Sequence, residues 1–145
     1  MKDDRNREAI AKLIAFFRGA GGQGVVALLD DDVTASHWRW GRKELRGKQR
    51  LLDEYFAPLG RAFPDLVFEV IDFVEGTYKV AIRGEFQATF ANEWLGLPPH
   101  GRRVSWRAHD IYEFRDGKIV RIWLGNDTLT VARQLGALPD DGRPW

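Results

Sequence analysis

Trp94-Leu-Gly-Leu-Pro-Pro-His-Gly-Arg102, an alternating run on to Phe114, the turn Arg115-Asp-Gly-Lys118 and a second run through Trp123 to Asp127 form the stretch that decides the fold. Asp116-Gly117 between two alternating runs is a strong hairpin signal, so Val104–Phe114 and Lys118–Asn126 are read as paired antiparallel strands. Leu129, Ala132 and Leu135 then share one face of a short helix that ends at Gly136. Asp127 stands immediately before that helix. It is read as its cap, accepting backbone N–H bonds, in preference to a catalytic acid.

Moving upstream, Leu66–Val74 and Tyr78–Phe90 read as two more strands around the Glu75-Gly76-Thr77 turn. Before Pro64 the pattern is largely helical. Ile10, Leu13, Ile14 and Phe17 make one apolar stripe, with Asp3 or Asp4 as cap and Gly19 as stop. Val25–Leu29 reads as a second, short helix, and Asp30-Asp-Asp32 as a solvated turn. Val33–Trp40 alternates as a strand. Val33, Ala35, His37 and Arg39 lie on one face; Thr34, Ser36, Trp38 and Trp40 lie on the other. The alternation leaves open which face is inward. Gly41–Gly47 reads as a charged loop. A third helix is expected over Lys48–Phe63, with Leu52, Tyr55, Phe56, Leu59 and Phe63 on one face and Pro58 kinking it or splitting off its last turn. Helices first and strands after predict an α+β class, with the helices on one face of a curved antiparallel sheet, strongly bent so that it closes over a cavity. The residues from about 137 to 145 are expected to form an arm over the surface.

The 145 residues fit a single domain with one core. Basic and acidic residues number 22 and 21, so the chain has no charge bias toward nucleic acid or an anionic membrane. The absence of cysteine removes disulfides and thiolate metal sites, and it points to the cytoplasm. Met1–Glu8 carries both signs of charge, unlike a signal peptide, and no apolar run is long enough to span a bilayer. Six tryptophans in so short a chain suit a pocket or an interface between subunits.

Few residues offer chemistry. Gly19-Ala-Gly21-Gly-Gln-Gly24 matches G-x-G-x-x-G, but a helix precedes it where a dinucleotide site needs a strand, so a flexible link is the better reading. No serine sits in a G-x-S-x-G turn. His37, His100 and His109 have no helical ligand spacing. A His37–His109–Asp110 metal site is the weaker reading, and no metal or cofactor is expected. His100 lies in the Pro98-Pro-His-Gly101 turn and reads as a solvated turn residue. Asp110 stands out. Its strand face carries Val104, Trp106, Ala108, Tyr112 and Phe114, and it is the one charge among them. A carboxyl facing an apolar cavity has a raised pKa and suits acid/base work. A buried Asp tied to a neighbouring Arg or Tyr is the competing reading.

Ala62-Phe63-Pro64-Asp65-Leu66, Leu95-Gly-Leu-Pro-Pro-His-Gly-Arg102, Asp116-Gly-Lys-Ile119, Trp123, Asp127 and Gln134-Leu-Gly136 together resemble the SnoaL-like polyketide cyclase family, from about Gly24 to Leu138. The resemblance implies a cone: a bent antiparallel sheet wrapped by N-terminal helices around a deep apolar pocket. It also implies a homodimer and cofactor-free aldol ring closure. In that family an aspartate directly follows the last-strand tryptophan, a histidine often precedes that tryptophan, and another histidine often stands before the Pro-Pro turn. This chain has Leu124, Ile122 and Phe90 at those places. A leucine moves no proton, so the family's mechanism does not carry over directly.

The reading that follows is a protein that binds a small apolar or aromatic molecule in its cone. Asp110 is the candidate acid/base for aldol, isomerase or lyase-type chemistry. Asn126 is its hydrogen-bond partner and Trp106 an apolar wall. Phe86, Phe90, Ile122, Leu124, His37 and Trp40 are the remaining candidate lining residues. A non-catalytic hydrophobic-ligand module and a filled, purely structural dimer are the rivals.

Overall fold

The computed structural model describes residues 2–15, 24–37 and 43–139. Phe17, the Gly19–Gly24 link up to Gly24, Arg39, Trp38, Trp40 and the arm from Asp140 lie outside the described residues. The sheet has the order β2-β1-β6-β5-β4-β3. Its strands are β1 (Leu29–His37), β2 (Glu44–Arg46), β3 (Val67–Glu75), β4 (Lys79–Thr89), β5 (Arg103–Arg115) and β6 (Lys118–Leu124). The α+β class and the curved sheet are as the sequence predicts; the sheet is open, with β2 and β3 at its edges. Two pairings refine the expectation. β1 runs parallel to β6, the one parallel pair among the described residues, and Glu44–Arg46 in the expected loop pairs with β1 as a short edge strand.

Each segment has a local cause. In the β5–β6 hairpin both Asp116 (φ 51°) and Gly117 (φ 81°) occupy the left-handed region, as a two-residue turn matched to strand twist requires. In β5 every second residue from Val104 to Phe114 is buried, the two-residue period of a sheet with one covered face. The same alternation in β1 turns Val33, Ala35 and His37 inward, which settles the face of that strand. Asp30-Asp-Asp32 lies inside β1 and not in a turn before it, at the place where the register with β6 shifts between Leu29 and Thr34. The strand starts at Leu29, and Asp30 accepts a hydrogen bond from the Asp32 N–H at 2.9 Å. Asp31 and Asp32 stay exposed, so an acidic run sits at this strand end without a desolvation cost.

Helix α1 (Lys2–Ala15) already passes through Asp3 and Asp4, so neither caps it. Leu13 and Ile10 face the core, and the buried Asn6 accepts the Gly117 N–H at 2.9 Å, tying α1 to the hairpin turn. Helix α2 (Gly24–Leu28) feeds directly into β1. The third helical region consists of α3 (Lys48–Leu51), a π-helical segment (Leu52–Phe56) and α4 (Ala57–Ala62). Pro58 does not end it. Proline lacks an N–H and crowds the carbonyl four residues back, so the regular ladder fails there. The helix responds by widening, and the Ala57 N–H bonds to the Leu52 carbonyl five residues back. Leu51, Tyr55, Leu59 and Ala62 face the concave side of the sheet. Helix α5 (Thr128–Gln134) closes the far end, capped by Asp127, whose carboxylate accepts from the Thr130 N–H at 3.2 Å and its hydroxyl at 2.6 Å.

Two glycines are set by close approach. At Gly84 a Cβ would lie 2.3 Å from the Phe68 ring, beside the β3 bulge between Val70 and Asp72. At Gly125 a Cβ would lie 2.3 Å from the His109 carbonyl oxygen. The main chain leaves β6 there, pressed onto β5, and continues to Asn126.

Candidate functional site

Between the concave face of the sheet and α5 lies a cavity of about 110 Å³. Leu59 from α4, Trp94 and Leu97 from the turn before β5, and Val131, Ala132 and Leu135 from α5 make it apolar. Its polar side is formed by His37, Tyr55, Asn126 and Thr128. Leu95, more than half exposed, stands at its rim in a left-handed backbone conformation (φ 54°).

Different elements deliver the polar groups. His37 is the inward residue at the end of β1, opposite Leu124 in the parallel register. Tyr55 comes from the π-helical segment, so the widened turn carries a hydroxyl to the cavity. Asn126 follows the Gly125 bend, where it bridges to Ala108 of β5. Trp106 stands on the inward face of β5. The Trp106 indole N–H donates to Asn126 Oδ1 at 3.2 Å. The Asn126 amide nitrogen reaches His37 Nε2 at 3.2 Å and donates to the Tyr55 hydroxyl oxygen at 3.2 Å. The His37 and Tyr55 rings stand 5.9 Å apart.

Asp110 is buried, and among the described residues no arginine pairs with it. Its carboxylate accepts the Gly125 N–H at 2.9 Å and, at 3.5 Å, the Tyr112 hydroxyl. Burial pushes the carboxyl up to about 6, against the opposing pull of those two bonds. Burial and the neighbouring Asp110 carboxylate push the Tyr112 hydroxyl up as well.

Of the predicted site residues, His37, Trp106 and Asn126 come together on the cavity wall. Asp110, Phe86, Phe90, Ile122 and Leu124 are not among its lining residues, and Trp40 lies outside the described residues. Phe90 and Ile122 are fully buried core, and Phe90 packs on Phe63 with ring centroids 5.6 Å apart. Phe86 stacks on Trp106 at 5.0 Å from outside the cavity. His109 is exposed on the opposite face of β5 from Asp110. Among the described residues no three His, Asp or Glu side chains are grouped as metal ligands. His100 does more than sit in a solvated turn. Its Nδ1 accepts the Arg102 N–H at 3.0 Å, so Nε2 carries the proton that bonds the Gln134 carbonyl at 2.8 Å. That bond ties the Pro-Pro turn to the end of α5.

Sequence reasoning missed Tyr55, Leu59, Trp94 and the α5 face as lining residues. Tyr55 carried a signal. It is the one hydroxyl in a stripe of leucine and phenylalanine, and a buried tyrosine hydroxyl needs a partner.

Comparison with known proteins agrees with this fold. Residues 9–135 match the family described as SnoaL-like polyketide cyclase. AclR of Streptomyces galilaeus, which bears a hydroxylase name, is 26% identical, with a TM-score of 0.77 over 94% of this chain and 84% of that one. IdmH of Streptomyces antibioticus, which bears a polyketide cyclase name, is 26% identical, with a TM-score of 0.70 over 90% of this chain and 98% of that one. A protein of Jannaschia sp. CCS1, named for SnoaL-like polyketide cyclases, is 19% identical and shares the fold, with a TM-score of 0.77 over 94% of each chain. No curated protein matches the sequence. With a match that spans most of its length, this chain belongs to the SnoaL-like polyketide cyclase family.

Proposed function

We propose that the protein binds a small, uncharged aromatic or apolar molecule in the cavity beneath α5, and that the Trp106–Asn126–His37–Tyr55 wall orients its polar group. The observation that carries this reading is an apolar cavity with one hydrogen-bonding side. Among the described residues none that lines it is a carboxylate, lysine or arginine, so a charged ligand would lose hydration there without gaining a counter-ion. A volume of about 110 Å³ is of the order of an engineered apolar cavity of about 150 Å³ that takes benzene. One ring fits inside, and a larger molecule would extend past Leu95.

Cofactor-free proton transfer on such a molecule falls to His37 and Tyr55, the titratable groups on the wall. Asp110 lies behind that wall, where it accepts the N–H of Gly125, the neighbour of Asn126, and the Tyr112 hydroxyl. A purely binding role is the second reading. It is favoured by Leu124, Ile122 and Phe90, which put buried apolar side chains where the family resemblance expects proton-moving groups. The hydroxylase and cyclase names of AclR and IdmH leave room for both. Thermal shift with methyl benzoate and benzoate separates ligand classes. The neutral ester at about a hundred times its Kd should raise Tm by an amount equivalent to about 2.7 kcal/mol, and the anion should not. No response to any neutral single-ring compound would overturn the proposal. Ala132→Phe, which fills the cavity from α5, should abolish the ester's effect while leaving the fold intact.

A homodimer is part of the same proposal. Val74, Ala81, Ile111 and Trp123 are successive register partners and make one apolar row across the outer face of the sheet. Val74 is 68% and Ile111 40% exposed, an unusual exposure for side chains so aligned. Lys79 and Arg121 lie over the Trp123 ring at 5.1 and 4.8 Å and border the row with charge. An apolar row with a charged rim suits a second copy docked face to face. Ile111→Glu should convert a dimer to a monomer in light scattering at micromolar concentration. A parent protein that is already monomeric there would overturn the assignment. The cytoplasm is kept as the proposed compartment on the absence of cysteine. No helix among the described residues is long and apolar enough to cross a membrane.

A further inference from the structure

The hydrogen bonds of the cavity wall constrain one another. The Trp106 indole nitrogen is donor-only, so the Asn126 atom 3.2 Å from it must be the carbonyl oxygen. An amide has one oxygen. The other end of Asn126 is therefore its NH₂ group, which donates to both atoms it faces: His37 Nε2 and the Tyr55 hydroxyl oxygen. A nitrogen that accepts a hydrogen bond carries no proton. We infer that Trp106 is a positioning residue that sets, through Asn126, the tautomer of His37: a neutral imidazole with its proton on Nδ1 and Nε2 held as an acceptor.

The usual ambiguity of an asparagine side chain is absent here, because flipping Asn126 would set its NH₂ against the indole N–H. Both groups would then be donors and neither would be satisfied. The placement of Asn126 resists other arrangements too. Gly125 is pressed onto His109, and Asn126 is bridged to Ala108, so the side chain enters from a fixed backbone position. Trp106 is held in turn between Phe63, at 5.4 Å, and Phe86, at 5.0 Å. The order of control therefore runs from the aromatic core to the indole, from the indole to the amide, and from the amide to the imidazole. His37 Nε2 becomes available as a base when Asn126 releases it. Until then the ring is a hydrogen-bond donor through Nδ1.

This inference concerns the wall itself and holds with or without a ligand, so its failure is distinct from failure of the binding proposal. The test is long-range ¹H–¹⁵N correlation on the full chain labelled with ¹⁵N, with the His37 ring assigned by its loss in His37→Gln. The expected parent spectrum shows a protonated Nδ1 and a bare Nε2. Trp106→Phe keeps the ring packing but removes the donor, so the amide is free to turn. The tautomer ratio should fall by about five- to tenfold, the weight of one hydrogen bond. Asn126→Asp offers only acceptors and should place a proton on Nε2. A parent protein protonated at Nε2 overturns the inference. So does a parent-like His37 pattern in either folded variant. If Trp106→Phe does not fold, the parent spectrum and Asn126→Asp decide.

Discussion

Replacing Asp110 with asparagine is expected to make the protein more stable at neutral pH and to remove much of its loss of stability between pH 4 and pH 7. The carboxyl lies buried with a folded-state pKa of about 6, against 3.8 as its ordinary value. Between those values the folded chain holds a proton on Asp110 that the unfolded chain has released. Stability therefore falls as pH rises across this window. Below pH 3.8 both states are protonated and the contribution is fully present; above about 6 both are ionised and it is lost. The difference of about two units corresponds to about 3 kcal/mol. Asparagine has nearly the same shape and no charge to lose. Its oxygen still accepts the Gly125 N–H, and its NH₂ can donate to the Tyr112 hydroxyl, which turns to accept. Urea denaturation of parent and variant at pH 4, 5, 6 and 7.5 reads the effect directly. Other groups, such as Asp65, titrate in the opposite sense, so the comparison rests on the difference between the two proteins. Parallel pH profiles would show that Asp110 is not the group responsible.

Gly125→Ala is the second large effect. The added methyl would stand 2.3 Å from the His109 carbonyl oxygen, which is main chain and has no rotamer to yield. The backbone around Gly125 is pinned by the His109 N–H bond to the Gly125 carbonyl at 3.0 Å and the Asp127 N–H bond to the Arg107 carbonyl at 2.9 Å. Relief requires β5 and the end of β6 to separate, at a cost of about 3 kcal/mol. The same shift carries Asn126 off the wall and withdraws the Gly125 N–H from Asp110. The variant should therefore lose ligand-induced stabilisation along with fold stability. Gly60→Ala is the control. No atom lies within 4 Å of its added methyl, and Gly60 sits inside α4. It should stabilise the protein by about 0.4–1 kcal/mol by restricting the unfolded chain. Equal denaturation midpoints for Gly125→Ala and the parent would contradict the close-approach argument.

The sheet was readable because its signals are local. Two-residue alternation in β5, the Asp116-Gly117 turn and the Asp127 cap act within a few residues, and each stands in the structure where the pattern places it. What escaped was long-range or subtle. Nothing in Asp30-Asp-Asp32 announces a strand, because this run is carried inside β1 at a register shift, between the β6 pairings of Leu29 and Thr34. Pro58 signals a broken helix, and the widening that rescues it depends on a register no window of sequence displays. The site divides the same way. Asp110 was visible as a charge on an apolar face, and its burial and raised pKa follow from that. Its distance from the cavity wall does not, because Gly125 directs the chain around it. His37, Trp106 and Asn126 were each in view, yet their meeting depends on β1, β5 and the end of β6 lying side by side.

That parallel pairing has a consequence for how the protein assembles. His37 lies opposite Leu124, and Asn126 reaches His37 across a separation of 89 residues. The β3–β4–β5–β6 meander is built from neighbouring segments and closes short loops. Adding β1 alongside β6 requires one long loop to close, which slows folding without much altering final stability. The cavity wall therefore completes only with that docking. A chain paused before it would hold Trp106, Asn126 and Asp110 on a formed sheet with the imidazole still absent. Folding followed by tryptophan fluorescence and by recovery of ligand binding should then run at different rates, with binding the slower.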